Sequence, residues 1–146
     1  MGQFFRIDHL QHEHYIHREK ALPGPNMSIA LGNWGDLQIE LICPHGEGES
    51  TWHQFLRQRG GGLHHISVWT STFDDLVNKG LEQRLQFEAR GALLNGTRYA
   101  YFQTPAPDLP LLEISQVTEV SAGLFTEIRT ASINWDGSDP VHIINL

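Results

Sequence analysis

Cysteine is nearly absent: Cys43 is the only one in 146 residues. A lone thiol forms no internal disulfide and no CxxC site, which fits a reducing compartment and makes the cytoplasm the expected location. Basic residues are scarce too. Ten Lys and Arg stand against seventeen Asp and Glu, a formal charge of −7, so the chain lacks the positive field that holds nucleic-acid phosphates or an anionic membrane. No apolar run approaches the roughly 20 residues that span a bilayer, and Met1 to Asp8 has neither a basic n-region nor an apolar h-region. Gly60-Gly61-Gly62 lacks the Lys-Ser/Thr that completes a phosphate loop, and no nucleophile elbow accompanies the serines and histidines. Material for a core, by contrast, is plentiful. Hydrophobic residues make up 40% of the chain, with four Trp, three Tyr and seven Phe, enough for one domain of ordinary size.

Residues 4–16 read as one extended segment, ended by Leu22-Pro23-Gly24-Pro25. Residues 27–31 alternate with period two, pause at Gly32-Asn33-Trp34-Gly35 and resume over 37–42, the pattern of a β-hairpin. From Ser50, Trp52, Phe55 and Leu56 fall at helical spacing, and the glycine run at 60–62 stops that helix. Residues 63–69 are predicted as a strand. Thr70-Ser71-Thr72 then caps a helix with Asp74 and Asp75 in its first turn and Gly80 as its stop. Strands at 85–88, 98–104 and 109–115 follow, separated by Gly91 and Gly96 and by Pro105 and Pro107. The order over 62–116 is therefore βαβββ. Leu124, Phe125, Ile128 and Ala131 mark a last helix over about 121–133, and Val141 to Ile144 a terminal strand.

Two hairpins end alike, at 36–41 and at 108–114, each with an acid inside an apolar alternation: Glu40 and Glu113. Alternation puts Glu40 on a face with Gln38 and Ile42, and Glu113 on a face with Leu111 and Ser115. An exposed edge strand accounts for such a residue, whereas a buried one requires a partner. The candidate partner is the pair His64-His65. Strict alternation sends these two rings to opposite sides, so one of them faces any given site. Imidazole and carboxylate together form ligand sets for Zn, Fe, Mn, Co and Ni. His12 and His14 fall on one strand face and His9 and His17 on the other, which reads as a solvated or substrate-edge cluster, since a ligand set must converge. Cys43 is expected to be a small buried hydrophobe, and Trp34 to pack on its own hairpin.

Gly-Gly-Gly-Leu-His-His-Ile-Ser-Val at 60–68, the capped helix at 71–79 and Leu-Leu-Glu-Ile at 111–114 resemble the vicinal oxygen chelate superfamily. That superfamily includes glyoxalase I, methylmalonyl-CoA epimerase, extradiol dioxygenases and the bleomycin-resistance proteins, and the resemblance is closest to its glyoxalase-like and epimerase-like branch. It implies the α+β glyoxalase/bleomycin resistance/dioxygenase fold, with paired βαβββ modules forming a cupped mixed sheet. The chain is then a single domain over 1–146, with a partial first module at 4–45, a complete second module at 62–116, and a C-terminal helix and tail at 117–146. The resemblance also implies one divalent metal ion. Carried over by position, His65 is the first-strand ligand of module two, Glu113 its last-strand ligand, and Glu40 the last-strand position of module one.

The implied function is that of a metal-dependent lyase or isomerase acting on a small substrate with vicinal oxygens through an enolate-type intermediate, with Glu40 or Glu113 as the base. Two alternatives stay open: a metal-free protein of this fold that binds or sequesters small molecules, and an extradiol-type dioxygenase, which generally requires two histidines and one carboxylate. Module one departs from the pattern. Its opening strand and helix are missing, and Arg6-Ile7-Asp8-His9-Leu10 imitates the strand without a capped helix after it. The site is then one ligand short, to be completed by a preceding segment, by dimerisation, or by the strand at 141–144 with His142. Uncovered sheet edges point to a homodimer.

Overall fold

A computed structural model describes residues 1–106 and 108–144. Pro107, one half of the expected Pro105/Pro107 break, lies outside the described residues, as does the end of the tail at 145–146. The elements are, in chain order, β1 (Phe4–Ile7), β2 (His12–His17), β3 (Lys20–Leu22), β4 (Met27–Trp34), β5 (Leu37–Pro44), α1 (Thr51–Arg59), β6 (His65–Thr70), α2 (Phe73–Glu82), β7 (Phe87–Leu93), β8 (Arg98–Phe102), β9 (Leu111–Gln116), α3 (Glu119–Ser132) and β10 (Val141–Ile144). This is the mixed α+β class that the resemblance implies. The chain divides into two compact units, residues 1–10, 26–46 and 119–146, and residues 11–25 and 47–118.

The first unit holds a four-stranded sheet in the order β10-β1-β4-β5. The expected hairpin forms as β4 and β5, paired from Met27 and Pro44 to Trp34 and Leu37. Its two-residue loop puts Gly35 at φ 61°, a left-handed conformation that glycine adopts without strain. Alternation buries Met27, Ile29 and Leu31 on β4 beside Phe5 and Ile7 on β1. Helix α3 packs on β4 and buries Ile128 completely, a side chain worth about 1.5–3 kcal/mol of apolar burial.

The chain departs from the expected pattern in places. Residues 4–16 are not one strand: they form β1 and β2, in different sheets, and His9 between them has φ 53°. A non-glycine residue in that region marks a turn. The tail strand β10 forms as expected and joins the sheet of the first unit, paired in parallel with β1, with His142 opposite Phe5. It therefore does not lie beside β5, the strand that carries Glu40, at the other edge of the sheet. Finally, Cys43 is exposed, because β5 is that edge strand and Leu37 and Leu41 on the same side of it are exposed as well. Trp34, at the end of its hairpin, is also exposed.

In the second unit the sheet order is β3-β2-β7-β8-β9-β6, with β6 parallel to β9 and the other pairs antiparallel. One face carries Ala100, Phe102 and Ile114, covered by Phe73, Leu76 and Val77 of α2 and flanked by Leu85, Phe87 and Leu112. Helix α2 begins one residue after Thr72, but no side chain caps it. Instead the Thr70 hydroxyl accepts the Thr72 N–H at 3.0 Å. The helix also runs through Gly80 to Glu82 and does not stop there. A Cβ on Gly80 would meet the Phe102 ring at 3.2 Å, so the glycine permits close helix–sheet packing. Helix α1 behaves as its sequence predicts: Ser50 Oγ accepts the His53 N–H at 3.3 Å, and Gly60 closes the helix at φ 72°.

The other face of this sheet is polar and aromatic. Alternation brings Tyr99 and Tyr101 of β8, Glu113 of β9 and Tyr15 of β2 to one side. Gly91 on β7 makes room for this arrangement, since a Cβ there would lie 2.5 Å from the Tyr99 hydroxyl.

Candidate functional site

His65 opens β6, and Glu113 lies on the neighbouring strand β9, in register with Ser67. Because His65 and Ser67 are two residues apart on a strand, they share a face with Glu113. His65 Nε2 stands 3.4 Å from Glu113 Oε2, and each side chain is only 10% exposed. Glu113 is thus no solvated edge residue. Ser67 Oγ is buried with no hydrogen-bond partner among the described residues. An orphaned hydroxyl costs about 1–3 kcal/mol when nothing fills the position opposite it, so a polar occupant next to this pair fits the site. Imidazole nitrogen and carboxylate oxygen are suited to a divalent cation of the Zn, Fe, Mn, Co and Ni group. Glu40 belongs to the first unit, half-buried on β5 opposite Leu31.

Around His65 the second unit builds an aromatic wall. The Tyr101 ring meets His65 edge-on at 5.1 Å, and Trp52 of α1 meets Tyr101 edge-on at 5.5 Å. His64 is on this same side, its ring 5.3 Å from that of His65, which corrects the expectation that the pair splits across the strand. The ladder begins only at His65, and Gly61 and Gly62 just before it have φ of 132° and 127°. Alternation constrains side chains within a strand, and His64 precedes it. The His64 and His65 Nδ1 atoms lie 3.1 Å apart, and His64 Nε2 lies 3.3 Å from Thr51 Oγ1. Burial pushes the His64 pKa down to about 4, helped by His65 alongside.

The histidine tract also departs from its expected faces. A bulge between His12 and His14 in the pairing of β2 with β7 breaks the period of two. His12 therefore turns inward, its Nδ1 3.0 Å from the Tyr99 hydroxyl, while His14 stays exposed. Burial lowers the His12 pKa to about 4 and raises those of Tyr15, to about 12, and Tyr99. His17 is buried rather than solvated: its Nε2 lies 3.0 Å from Glu88 Oε1, and Arg18 and Gln103 donate to the same carboxylate. Burial alone would raise the Glu88 carboxyl, but these hydrogen bonds outweigh it and hold the group below its ordinary value. Glu88 reaches this network because it occupies a second irregularity, between Phe87 and Ala89. Residue patterning placed Trp52 on its helix but gave neither it nor Glu88 nor Tyr101 a part in the site. In the first unit, His9 Nδ1 lies 2.9 Å from Asn26 Oδ1. The Ser28 hydroxyl there donates to Asp8 at 2.8 Å and so is left to accept from His45. That order, with serine between acid and imidazole, is the reverse of what activates a nucleophile.

No described helix is long and apolar enough to cross a membrane. A family model described as Glyoxalase/Bleomycin resistance protein/Dioxygenase superfamily matches residues 4–101. The uncharacterized protein YqjC of Bacillus subtilis (strain 168) is 26% identical over 106 residues, covering 70% of this chain and 73% of its own. The crystal structure of the hypothetical protein BH1468 from Bacillus halodurans C-125 superposes with a TM-score of 0.56 at 20% identity, over 82% of this chain and 94% of that one. At that identity the likeness is one of fold.

Proposed function

The chain belongs to the Glyoxalase/Bleomycin resistance protein/Dioxygenase superfamily, and from that premise we propose that it is a metal-dependent lyase or isomerase acting on a small substrate with two adjacent oxygens. The observation that carries this reading is the buried His65–Glu113 pair with an orphaned Ser67 hydroxyl beside it. In this reading His65 Nε2 and the Glu113 carboxylate would hold one divalent cation, and Glu40, which ends its hairpin as Glu113 does, would supply a third ligand. The bound ion contributes Lewis acidity toward a carbonyl oxygen. The protein's own part is to place a carboxylate, Glu113 or Glu40, where it takes a proton from the carbon next to that carbonyl. Removing water from around Glu113 strengthens its electrostatic interactions, and the Tyr101 and Trp52 rings, set edge-on to each other, supply an aromatic wall for the rest of the substrate.

Ring-cleaving oxygenation is the less suited chemistry. It calls for a second histidine ligand, and His64, which adjoins His65, has one ring nitrogen against His65 and the other against Thr51. A cytoplasmic location belongs to the same proposal and rests on the cysteine content. So does a homodimer: β5 lies at the edge of its sheet and presents Leu37 and Leu41 to solvent, a strand that a second copy can cover.

The test is isotope exchange in deuterium oxide, with 2-hydroxy ketones and 2-oxo thiohemiacetals as candidate substrates and each of the five metals added in turn. Deuterium entering the carbon beside the carbonyl, and abolished by Glu113→Gln, supports the reading. Binding of such compounds without exchange under any metal favours a sequestering protein and overturns it.

A further inference from the structure

We propose that His64 is a positioning residue, which with Thr51 fixes the orientation of the His65 ring and accepts its Nδ1 proton in the tautomer that a cation requires. The inference rests on the metal reading above and adds to it a hydrogen-bond relay lying wholly within the second unit. His65 has two ring nitrogens, and each meets a group of the second unit. Nε2 faces Glu113 Oε2 at 3.4 Å, and Nδ1 faces His64 Nδ1 at 3.1 Å. Two imidazole nitrogens at that distance share one proton, one ring donating and the other accepting. The opposite nitrogen of His64 reaches Thr51 Oγ1 at 3.3 Å, and a hydroxyl can serve as donor or acceptor.

Two directions satisfy His64 and Thr51, but without an ion only the first also pairs His65 Nε2 with Glu113. In one, the Thr51 hydroxyl donates to His64 Nε2, His64 Nδ1–H donates to His65 Nδ1, and His65 Nε2–H donates to Glu113. In the other, His65 Nδ1–H donates to His64 Nδ1 and His64 Nε2–H donates to Thr51 Oγ1, which leaves the His65 Nε2 lone pair open. Each ring carries one proton in both, and the hydroxyl keeps its own, so the two states differ by tautomer and rotation alone. A cation on Nε2 is compatible only with the second.

The geometry around His64 is built to keep it in the relay. Its ring lies parallel to Trp52 at 6.1 Å and 28°, and edge-on to Phe55 at 5.1 Å. Thr51 is fixed in turn at the start of α1, where its backbone N–H donates to the Tyr15 hydroxyl at 2.9 Å. A histidine ligand whose second nitrogen is anchored in this way is oriented before the ion arrives, and losing such an anchor costs about 10- to 100-fold in metal affinity.

The experiment uses the full chain with nitrogen-15 histidine, zinc chloride as the probe, and long-range proton–nitrogen correlation spectra. In the metal-free chain, His65 is expected to carry its proton on Nε2 and His64 on Nδ1, and one equivalent of zinc is expected to reverse both. His64→Phe should weaken zinc binding by about 10- to 100-fold, and His64→Asn, whose Oδ1 stands in for the accepting Nδ1, should restore most of it. An unchanged His64 tautomer on zinc binding, or His64→Phe binding zinc as tightly as the native chain, overturns the inference alone. Failure of the native chain to bind zinc or any of the other four metals overturns the metal reading, and this is seen before any variant is made.

Discussion

His17 Nε2 and Glu88 Oε1 lie 3.0 Å apart with side chains that are each 8% exposed, joining β2 to a bulge in β7. Removing the carboxylate strips hydrogen bonds from His17, Arg18 and Gln103 at once. Glu88→Ala should therefore destabilise the chain by about 2–3 kcal/mol, and Glu88→Gln, which keeps an acceptor, by less. Urea unfolding measures both. Equal midpoints for Glu88→Ala and the native chain would show that the network is not structural.

His12 and His64 make stability depend on pH in a predictable direction. Each has an ordinary pKa of 6.5 and is lowered to about 4 in the fold by burial. Above pH 6.5 both states of the chain leave these rings neutral. Between pH 6.5 and about 4 the unfolded chain binds protons that the folded chain does not, so acidification favours unfolding there. Glu88 adds its own loss only as pH falls below its ordinary value of 4.5. The urea midpoint of the metal-free chain should thus fall across the upper window, and fall less steeply in His12→Phe. A flat midpoint over that window would contradict the buried, neutral state of both rings.

The homodimer proposal predicts a solution mass of twice 16.5 kDa by light scattering. Leu41→Arg, which places a charge on the exposed side of edge strand β5, should return the mass to that of one chain. A single-chain mass for the native protein, or a Leu41→Arg protein that stays paired, would remove β5 as the interface.

What the sequence made legible follows from where periodicity holds. The β4–β5 hairpin and the α1 caps lie in uninterrupted stretches, where residue spacing reports direction, whereas His65 and Glu113 were matched only through the family resemblance. Parity fails at a bulge. One extra residue between His12 and His14 turns His12 toward Tyr99, and another beside Phe87 delivers Glu88 to His17, with no mark in the residue pattern. It fails again at strand ends, where His64 escapes alternation because the ladder starts one residue later. Pairing between distant segments is the third blind spot. Strand propensity located β10, but whether it joins β1 or β5 depends on tertiary packing.

Whether His65 and Glu113 hold a cation is decided by the metal content of the purified chain after supplementation with Zn, Fe, Mn, Co or Ni and exhaustive dialysis. About one tightly held divalent ion per chain or per shared site is expected, lost in His65→Ala and in Glu113→Gln and weakened in Glu40→Gln. No retained ion under any of the five, or retention unchanged in His65→Ala, would contradict the metal reading.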